Sequence, residues 1–310
     1  MTKKNPTNSS EHLICVDWGS SNFRAYLINK KGNLLEKCQS ERGMLNCNGQ
    51  FAETLEDVCA IWFNRFPDTP VFLSGMVGSR EGWVDAGYMD TPLSLNSLVD
   101  QLVEIPRQKR RTWIVPGVRH YDRDGLSADI MRGEETQILG VMDQHKISDA
   151  IFVLPGTHSK WVQIDNGSLE EFKTYMTGEL YSIIKNHSIL RHSLDNNPPT
   201  LNNTFYKGVD SAKHGASLLN QLFGVRASDV LGLIPKKGQS SHLSGILIGQ
   251  EITHALNHFN DKPIYIIGND HLATLYQGAL QQLERNVQVI SGDIASRTGL
   301  YFIATQKVQK

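Results

Sequence analysis

The sequence predicts an α/β fold in which short strands and helices alternate along 310 residues. Apolar strands recur directly before glycine turns, and apolar residues at helical spacing follow many of those turns. Two segments that lie far apart in the chain also share one strand–turn–strand pattern. The length is sufficient for two domains, so these observations together favour a two-domain α/β protein.

Composition and charge exclude several classes of protein. The chain is 40% hydrophobic and 20% charged, as is usual for globular proteins. A net charge of −1 provides no long-range attraction, so we expect neither nucleic acid nor a membrane as a partner. No apolar run approaches the ~20 residues of a membrane span. The polar start MTKKNPTNSSEH lacks the apolar region of a secretion signal, which predicts a cytoplasmic protein with reduced cysteines.

The predicted elements follow the chain in order. The first 40 residues indicate strand, turn, strand and a further hairpin, and strands are predicted at 70–74 and 112–118. Beyond residue 130 the pattern predicts a helix after 133, a strand–turn–strand unit at 150–165, further helices, and two strand-to-helix units starting at 263 and 287. A single helix is predicted over 51–66, with one apolar face formed by Phe51, Leu55, Val58, Ile61 and Trp62.

The segment LICVDWGSSNFRAYLI, residues 13–28, has a longer turn than a hairpin requires. Aligned with residues 151–165, it matches Val16 with Val153, Gly19 with Gly156, and Ser20 with Thr157. Asp17 is matched by Leu154, so only the first turn has an acid. Strand–glycine–hydroxyl–strand is a common pattern, and chance similarity therefore stays open as an alternative to two related lobes.

Turns of this composition suit phosphate, because small residues let backbone N–H groups approach its oxygens and hydroxyls add donors. Lys160, three residues after Thr157, could add a positive charge. An acid cannot favourably contact phosphate, but it can hold hydrated Mg²⁺. Asp17 is therefore a candidate metal-positioning residue. The alternative is that Asp17 only caps its own turn.

Three further segments carry candidate chemistry. Gly268 ends a strand at the start of a helix, a frequent nucleotide platform, whereas the absence of GxxxxGK[ST] disfavours a P-loop kinase. Glu134 and Glu135 open a predicted helix, where they complement the helix dipole or accept a proton from an attacking alcohol. The loop SGMVGSREGW, 74–83, either connects elements or offers Arg80 and Trp83 to a sugar acid.

Taken together, these segments resemble the superfamily of sugar kinases, heat-shock ATPases and actin, and more narrowly the 2-dehydro-3-deoxygalactonokinase family. The resemblance covers about residues 13–305. It rests on strings that occur in one order: DWGSSNFRAYL, SGMVGS..GW, MRGEETQILG, LPGTHSKWVQ, MTGEL, LFGVRASDVLG, LSGILIGQE and the Gly268 segment.

The resemblance implies a two-lobed actin-like ATPase fold, related to ribonuclease H, with ATP in a cleft between the lobes. The lobes are expected at residues 1–132 and 133–310, and the C-terminal helix at 293–310 is expected to pack back on the first lobe. The implied activity is ATP-dependent phosphorylation of 2-dehydro-3-deoxy-D-galactonate at O6, within D-galactonate catabolism. ATP and Mg²⁺ are the implied co-substrate and metal.

The resemblance also assigns candidate roles to residues. Phosphate contacts are expected from Gly19, Ser20, Ser21, Asn22, Gly156, Thr157, His158, Ser159 and Lys160, and adenosine contacts from Gly268, Asn269 and Leu272. Substrate contacts are expected from Arg24, Gly75, Met76, Val77, Gly78, Ser79, Arg80, Trp83 and Arg132. Related sugar kinases have an aspartate base where this chain has Gly133-Glu134-Glu135. The departure leaves the base open between the two glutamates, and we favour Glu134.

Alternative functions remain at this level. The substrate could be another sugar acid or ketose, such as 2-dehydro-3-deoxygluconate. From another class, a sugar-sensing repressor of the kinase-like type would require a DNA-binding domain before the first strand, where the sequence provides about a dozen polar residues. A filament-forming ATPase is a third alternative. The expected partner is a small sugar acid, and a homodimer is left open.

Overall fold

In a computed structural model of the protein, the described residues are 11–122, 125–213, 217–268 and 270–309. They form two compact units. The first contains the residues through Ser148, together with Gly167–Leu169 and the chain from Asp293 onward. The second contains Asp149–Asn166 and Glu170–Gly292. Among the described residues, no helix is long and apolar enough to cross a membrane.

A six-stranded sheet forms the centre of the first unit, in the order β3-β2-β1-β4-β8-β7. Its strands are β1 (His12–Trp18), β2 (Phe23–Asn29), β3 (Leu34–Ser40), β4 (Val71–Ser74), β7 (Val103–Glu104) and β8 (Thr112–Ile114). β1 runs antiparallel to β2 and parallel to β4. Residues 13–18 are all buried, because this central strand is covered on both faces.

The helices of the first unit are α1 (Phe51–Val58), α2 (Ala60–Arg65), α3 (Glu134–His145) and, from Asp293, α9 (Gly292–Gln309). The predicted single helix over 51–66 is wrong, because the chain breaks at Cys59, which ends α1 and precedes α2. The break changes the helical phase. Trp62 is consequently buried, whereas Ile61 is 70% exposed instead of lying on the apolar face.

Two glycines allow α3 and α9 to pack at close range. A Cβ at Gly299 would lie 1.9 Å from the carbonyl oxygen of Thr136, and one at Gly140 would lie 2.4 Å from that of Ala295. This contact keeps residues 133–148 with the first unit. Residues 133–148 are thus grouped with the first unit, and the expected lobe boundary after residue 132 stays a prediction.

A second, three-stranded sheet in the first unit was not predicted from the sequence. It has the order β10-β9-β5, formed by β5 (Tyr88–Asp90), β9 (Gly117–Tyr121) and β10 (Ala128–Met131). β10 delivers the chain directly to the start of α3. The short strand β6 (Leu93–Ser94) pairs with Ser168 and Leu169, which belong to the same unit.

The sheet of the second unit repeats the strand order of the first. Its strands are β11 (Ala150–Leu154), β12 (Ser159–Asp165), β13 (Ser168–Tyr175), β14 (Ile264–Gly268) and β15 (Val287–Ser291). The first two residues of β13, Ser168 and Leu169, belong to the first unit. The order β13-β12-β11-β14-β15 corresponds to β3-β2-β1-β4-β8. In both sheets the first strand is antiparallel to the second and parallel to the fourth. The similarity between 14–28 and 151–165 thus reflects a repeated topology.

The helices of the second unit are α4 (Thr177–His187), α5 (Asn203–Ala212), α6 (Leu218–Val230), α7 (Lys236–His258) and α8 (Asp270–Gln282). α7 is the central helix of this unit, and most of its residues from Gln239 to Ala255 are buried. Its apolar side chains pack with Trp161, Phe205 and Tyr276 in one core.

Candidate active site

The turn of the first hairpin is hydrogen-bonded to the segment that contains Met44 and Leu45. The amide of Gly19 donates to the carbonyl of Asn22 over 2.9 Å, which closes the turn. The amides of Met44 and Leu45 donate to the carbonyls of Gly19 and Ser20 at 2.9 and 3.0 Å. Ser21 and Asn22 remain exposed. The carbonyl groups of Gly19, Ser20 and Asn22 are therefore held by hydrogen bonds, while Ser21 and Asn22 stay accessible to solvent.

Asp17 ends β1 with its carboxylate held in one orientation. Its Oδ2 accepts from Nη2 of Arg24 at 2.7 Å and from Oγ of Ser296 at 2.9 Å. Arg24 is the direct cross-strand partner of Asp17, and Ser296 comes from α9. The described residues donate no hydrogen bond to Oδ1. The metal-positioning role of Asp17 and the alternative that it caps its own turn both stay predictions.

Three segments of the first unit meet beside Asp17. Gly75 follows β4 at φ +97°, and a Cβ there would lie 2.8 Å from the carbonyl oxygen of Trp18. Gly133 precedes α3 at φ +107°, and its Cβ would lie 3.3 Å from the Cα of Gly75. Only glycine tolerates both the conformation and the contact. The ends of β1 and β4 and the beginning of α3 are thereby brought together.

The two glutamates of α3 have different environments. Glu135 is fully buried, and its carboxylate accepts from the amide of Gly133 at 2.6 Å and from Oγ1 of Thr136 at 2.9 Å. Burial, followed by the charge of Glu134, raises the pKa of Glu135 to about 7. Glu134 is only partly buried, and it accepts from the amide of Arg132 at 3.0 Å. Of the two, Glu134 is the one that a ligand can reach.

Arg132 is a buried cation at the end of β10. Its residue is 7% exposed, and its guanidinium carbon lies 4.4 Å from the ring centre of Tyr88. Nη2 donates to the carbonyl of Gly87 at 2.9 Å. Nε and Nη1 have no hydrogen-bond partner among the described residues. Buried guanidinium groups are normally paired, so this arrangement is suited to an anion.

The other predicted substrate residues lie on the loop after β4. A 3₁₀ turn spans Met76–Gly78, and Val77, Gly78 and Ser79 are buried. Trp83 is half-buried and stacks on Phe51 with ring centres 6.2 Å apart. Arg80 is exposed. Of the predicted substrate residues on this loop, Met76, Arg80 and Trp83 are therefore the ones with side-chain surface that is not buried.

The second hairpin presents its turn differently. Thr157 and His158 are exposed, and His158 Nε2 pairs with the carboxylate of Glu179. Lys160 is buried. It pairs across the hairpin with Leu154, in the position that Arg24 has opposite Asp17 in the first hairpin. Its Nζ donates to Oγ1 of Thr174 at 2.7 Å. A direct phosphate contact from Lys160 would require this side chain to reorient.

A cavity of about 140 Å³ adjoins this hairpin within the second unit. Its lining includes two predicted residues, Gly156 and Leu272, and the apolar side chains of Leu247, Ile248 and Leu275. Gly268 packs beside Pro155, at the foot of the same hairpin. Asn269 lies outside the described residues. An apolar pocket next to an exposed glycine turn has the layout of a nucleoside site beside a phosphate site.

Sequence reasoning missed the buried polar cluster behind this cavity. Glu251 of α7 is 3% exposed and accepts from Trp161 and Tyr276, and also from Thr177. Ser296, the second partner of Asp17, was missed as well. The sequence did offer a signal for Glu251, because it is the one charged residue in the segment LSGILIGQE. No local pattern points from Ser296 to Asp17, because 279 residues separate them.

Comparisons with known proteins show the family of this chain. A family model described as 2-keto-3-deoxy-galactonokinase matches residues 17–303. The chain is 38% identical over 297 residues to the 2-dehydro-3-deoxygalactonokinase of Escherichia coli K12, covering 94% of this chain and 97% of the relative. A crystal structure of a Sinorhizobium meliloti protein assigned the same activity matches with a TM-score of 0.89 and 35% identity, covering 94% and 98% of the two chains.

A more distant structure has the same fold only. It is component A of the (R)-2-hydroxyglutaryl-CoA dehydratase of Acidaminococcus fermentans, with a TM-score of 0.53, 11% identity and coverage of 97% and 100%. The predicted actin-like ATPase fold is confirmed, as is the predicted family resemblance. Since the family model spans nearly the whole chain, the protein belongs to the 2-keto-3-deoxy-galactonokinase family.

Proposed function

We propose that the protein transfers the γ-phosphoryl group of ATP to O6 of 2-dehydro-3-deoxy-D-galactonate, as a step of D-galactonate catabolism. The observation that carries this proposal is the family match over residues 17–303, which includes every candidate residue described in both units. In the reaction the O6–P bond forms, the bond from the γ-phosphorus to the β–γ bridging oxygen breaks, and ADP leaves.

The second unit is proposed to bind the nucleotide. The adenosine would occupy the cavity beside Leu272, and the phosphates would extend along the turn of Gly156, Thr157 and His158. Thr157 and His158 are exposed, so the backbone amides and the hydroxyl of this turn are accessible to phosphate oxygens. The turn at Ser21 and Asn22 of the first unit is likewise exposed, and the same composition of small and hydroxyl residues suits phosphate.

Asp17 is the proposed holder of Mg²⁺. The donor set fits, because a carboxylate oxygen is a hard ligand and the bonds from Arg24 and Ser296 both go to Oδ2, which leaves Oδ1 without a hydrogen bond from the described residues. No group of three or more acidic, histidine or cysteine residues suited to a metal occurs in the described part of the chain. A single acid matches an ion held mainly by water and phosphate. When bound, Mg²⁺ would neutralise part of the negative charge of the phosphates.

Glu134 is the proposed base, which accepts the proton of the O6 hydroxyl. It begins α3 beside Gly133, at the point where the ends of β1 and β4 meet. Glu135 cannot take this role without leaving its buried position, and its bonds to Gly133 and Thr136 hold the beginning of α3 instead. Phosphoryl transfer depends mainly on the positioning of the reacting groups. Glu135 would therefore contribute by fixing the beginning of α3.

Arg132 is proposed to bind the carboxylate of the sugar acid through Nε and Nη1, which are enclosed in this structure, so the contact would require the side chain to reorient. Such a contact would neutralise a buried cation and favour an acid over an uncharged sugar. Arg80 remains the alternative clamp, on the exposed side of the loop.

The decisive experiment measures ADP release with Mg-ATP across a panel of acceptors. The panel contains 2-dehydro-3-deoxygalactonate, 2-dehydro-3-deoxygluconate, the corresponding aldonic acids and a neutral ketose. We expect the highest kcat/KM with 2-dehydro-3-deoxygalactonate and phosphate on O6 of the product, assigned by phosphorus NMR. A higher kcat/KM for the gluconate epimer would reassign the substrate. No turnover with any member would overturn the proposal.

A further inference from the structure

Glu251 is a buried acid that the proposed phosphoryl transfer does not use. Its Oε1 accepts from the indole Nε1 of Trp161 at 2.8 Å, and its Oε2 accepts from the hydroxyl of Tyr276 at 2.6 Å and from Oγ1 of Thr177. Tyr276 is bonded in turn to Oγ of Ser159 at 2.7 Å. One carboxylate thus joins β12, α4, α7 and α8, all within the second unit.

These groups lie in the proposed nucleotide site or on the strand that adjoins it. Thr177 and Tyr276 line the cavity, and Ser159 and Trp161 belong to the strand that leaves the second hairpin turn. The start of α4 is also packed on that turn. A Cβ at Gly178 would lie 2.3 Å from the carbonyl oxygen of Gly156, and the amide of Glu179 donates to the carbonyl of Thr157 at 2.9 Å.

The bonds of Glu251 therefore reach both sides of the hairpin turn. Through Thr177 they fix the start of α4, which contacts Gly156 and Thr157. Through Trp161, and through Tyr276 to Ser159, they fix the returning strand. Burying an ionisable carboxylate costs free energy, and a well-packed apolar side chain can stabilise a core equally well. Stability alone therefore gives no reason for an acid at this place.

We propose that Glu251 is a positioning residue that fixes the second hairpin turn and the adjoining cavity wall in the geometry that binds a nucleoside triphosphate. The proposal rests on the proposed kinase function and assigns to the string LSGILIGQE a role in nucleotide binding. The ligand class is a purine nucleoside di- or triphosphate. Glu251 acts on it only through Thr177, Tyr276 and Trp161.

The test measures nucleotide binding directly, by isothermal titration of the full-length protein with ADP and with a non-hydrolysable ATP analogue. We expect Glu251→Leu to weaken binding by roughly 10- to 100-fold, the range that small misplacements of binding groups produce. Gln239→Leu is the matched control. Gln239 is a buried residue of the same helix that bonds to Ser228 and Ile234, and it does not line the cavity.

Kinetics separate positioning from general destabilisation. Glu251→Leu should raise the KM for ATP while the KM for the sugar acid stays unchanged. Glu251→Gln, which keeps the size but replaces one acceptor by a donor, should weaken binding less than Glu251→Leu. If Glu251→Leu does not fold, Tyr276→Phe removes a single donor and should still weaken nucleotide binding by about threefold to tenfold. Two results together would overturn the proposal. Tyr276→Phe and Glu251→Gln would bind nucleotide with wild-type affinity, and Glu251→Leu would lose no more affinity than Gln239→Leu.

A pH series adds an independent measurement. Burial raises the pKa of Glu251 to about 7. All three donors point at the carboxylate, so its ionised form fits them, and wild-type affinity should fall as the pH is lowered from 8 to 6. Other titratable groups on the surrounding elements are Tyr276, His271, His158 and Glu179, and these remain in Glu251→Gln. A pH profile unchanged in Glu251→Gln would contradict a role for this carboxylate.

The outcomes distinguish this inference from the proposed function. A wild-type protein that binds neither ADP nor the ATP analogue would overturn the kinase function itself. A wild-type protein that binds both, with variants of Glu251 that bind equally well, would overturn the inference and leave the kinase function intact.

Discussion

At the scale of single residues, the two hairpins differ at one cross-strand pair. Asp17 faces Arg24 in the first hairpin, and Leu154 faces Lys160 in the second. The first pair forms a salt bridge of 2.7 Å with an acid directed by a third group, Ser296. The second pair has no acid, and its lysine turns to Thr174. Equivalent backbone positions thus carry different chemistry.

Replacing Asp17 by Asn should lower kcat by roughly 10²-fold or more, because charge at the transferred phosphate is neutralised in the transition state. Circular dichroism should show an unchanged fold. Ser296→Ala is the matched control, since it removes one bond to the same oxygen but keeps the acid. It should cost about tenfold or less. If Asp17→Asn turns over at the wild-type rate with saturating Mg-ATP, the proposal that Asp17 positions the metal is wrong.

The two glutamates of α3 give a second prediction. Glu134→Gln should lower kcat by roughly 10²- to 10⁴-fold, the usual contribution of a general base, with little change in melting temperature. Glu135→Gln should mainly change stability, because Glu135 is fully buried and bonded to Gly133 and Thr136. Steady-state kinetics and thermal melts of both variants provide the comparison. The reverse ranking would assign the base to Glu135.

Two arginines give a third prediction. Arg132→Met should raise the KM for the sugar acid by about tenfold or more, since a charge-assisted hydrogen bond is lost. The KM for ATP should not change. Arg80→Met serves as the control, because Arg80 is exposed on the loop after β4. If only Arg80→Met raises the KM for the sugar acid, the carboxylate binds at the exposed side of that loop.

At the scale of elements, the strand–glycine–hydroxyl–strand pattern predicted both hairpins, because their pairing is local. The predicted helix over 51–66 fails at Cys59, where periodicity alone does not indicate a break. The sheet of β5, β9 and β10 was missed because Tyr88 pairs with Gly117, and no local pattern encodes that register. The same reason hid the bonds of Thr177 and Trp161 to Glu251.

The turns that contain Gly19 and Gly156 were therefore predictable from the sequence, and their roles in binding stay predictions. The bond from Ser296 to Asp17 was not predictable, because a distant helix provides it. The burial of Lys160, Val77 and Ser79 is likewise a property of packing rather than of local sequence.

The crossing of α3 and α9 gives a fourth prediction. Gly299→Ala should lower the free energy of unfolding by about 1–3 kcal/mol, because a Cβ at this position would overlap the carbonyl of Thr136. Gly224→Ala is the control. It lies inside α6 with no neighbouring atom in the way, so it should stabilise by roughly 0.5–1 kcal/mol. Urea unfolding of both variants measures the difference, and equal effects would contradict the close crossing.

At the scale of the whole molecule, each unit contains one buried glutamate whose pKa burial raises to about 7. Glu135 belongs to the first unit and Glu251 to the second. Unfolding returns both groups to an ordinary pKa near 4.5. Between these values the folded protein binds more protons than the unfolded chain, so stability decreases as the pH rises.

The fifth prediction is that the melting temperature falls as the pH rises from about 4.5 to about 7, by several degrees from these two groups. The loss should level off above the folded pKa. Differential scanning calorimetry at half-unit pH steps measures it. The double variant Glu135→Gln, Glu251→Gln should have a flatter profile over this window. A slope equal to that of the wild type would show that neither glutamate titrates with a raised pKa.

The bond from Ser296 to Asp17 has a consequence for biosynthesis. The first unit is discontinuous, since α9 joins it from the far end of the chain. Ribosomes add roughly 5–20 residues per second, so the 279 residues that separate these partners require roughly 15–55 s of translation. The nascent first unit must persist for that time without its last helix. The acid beside the first hairpin can acquire its second hydrogen bond only after Ser296 has been synthesised.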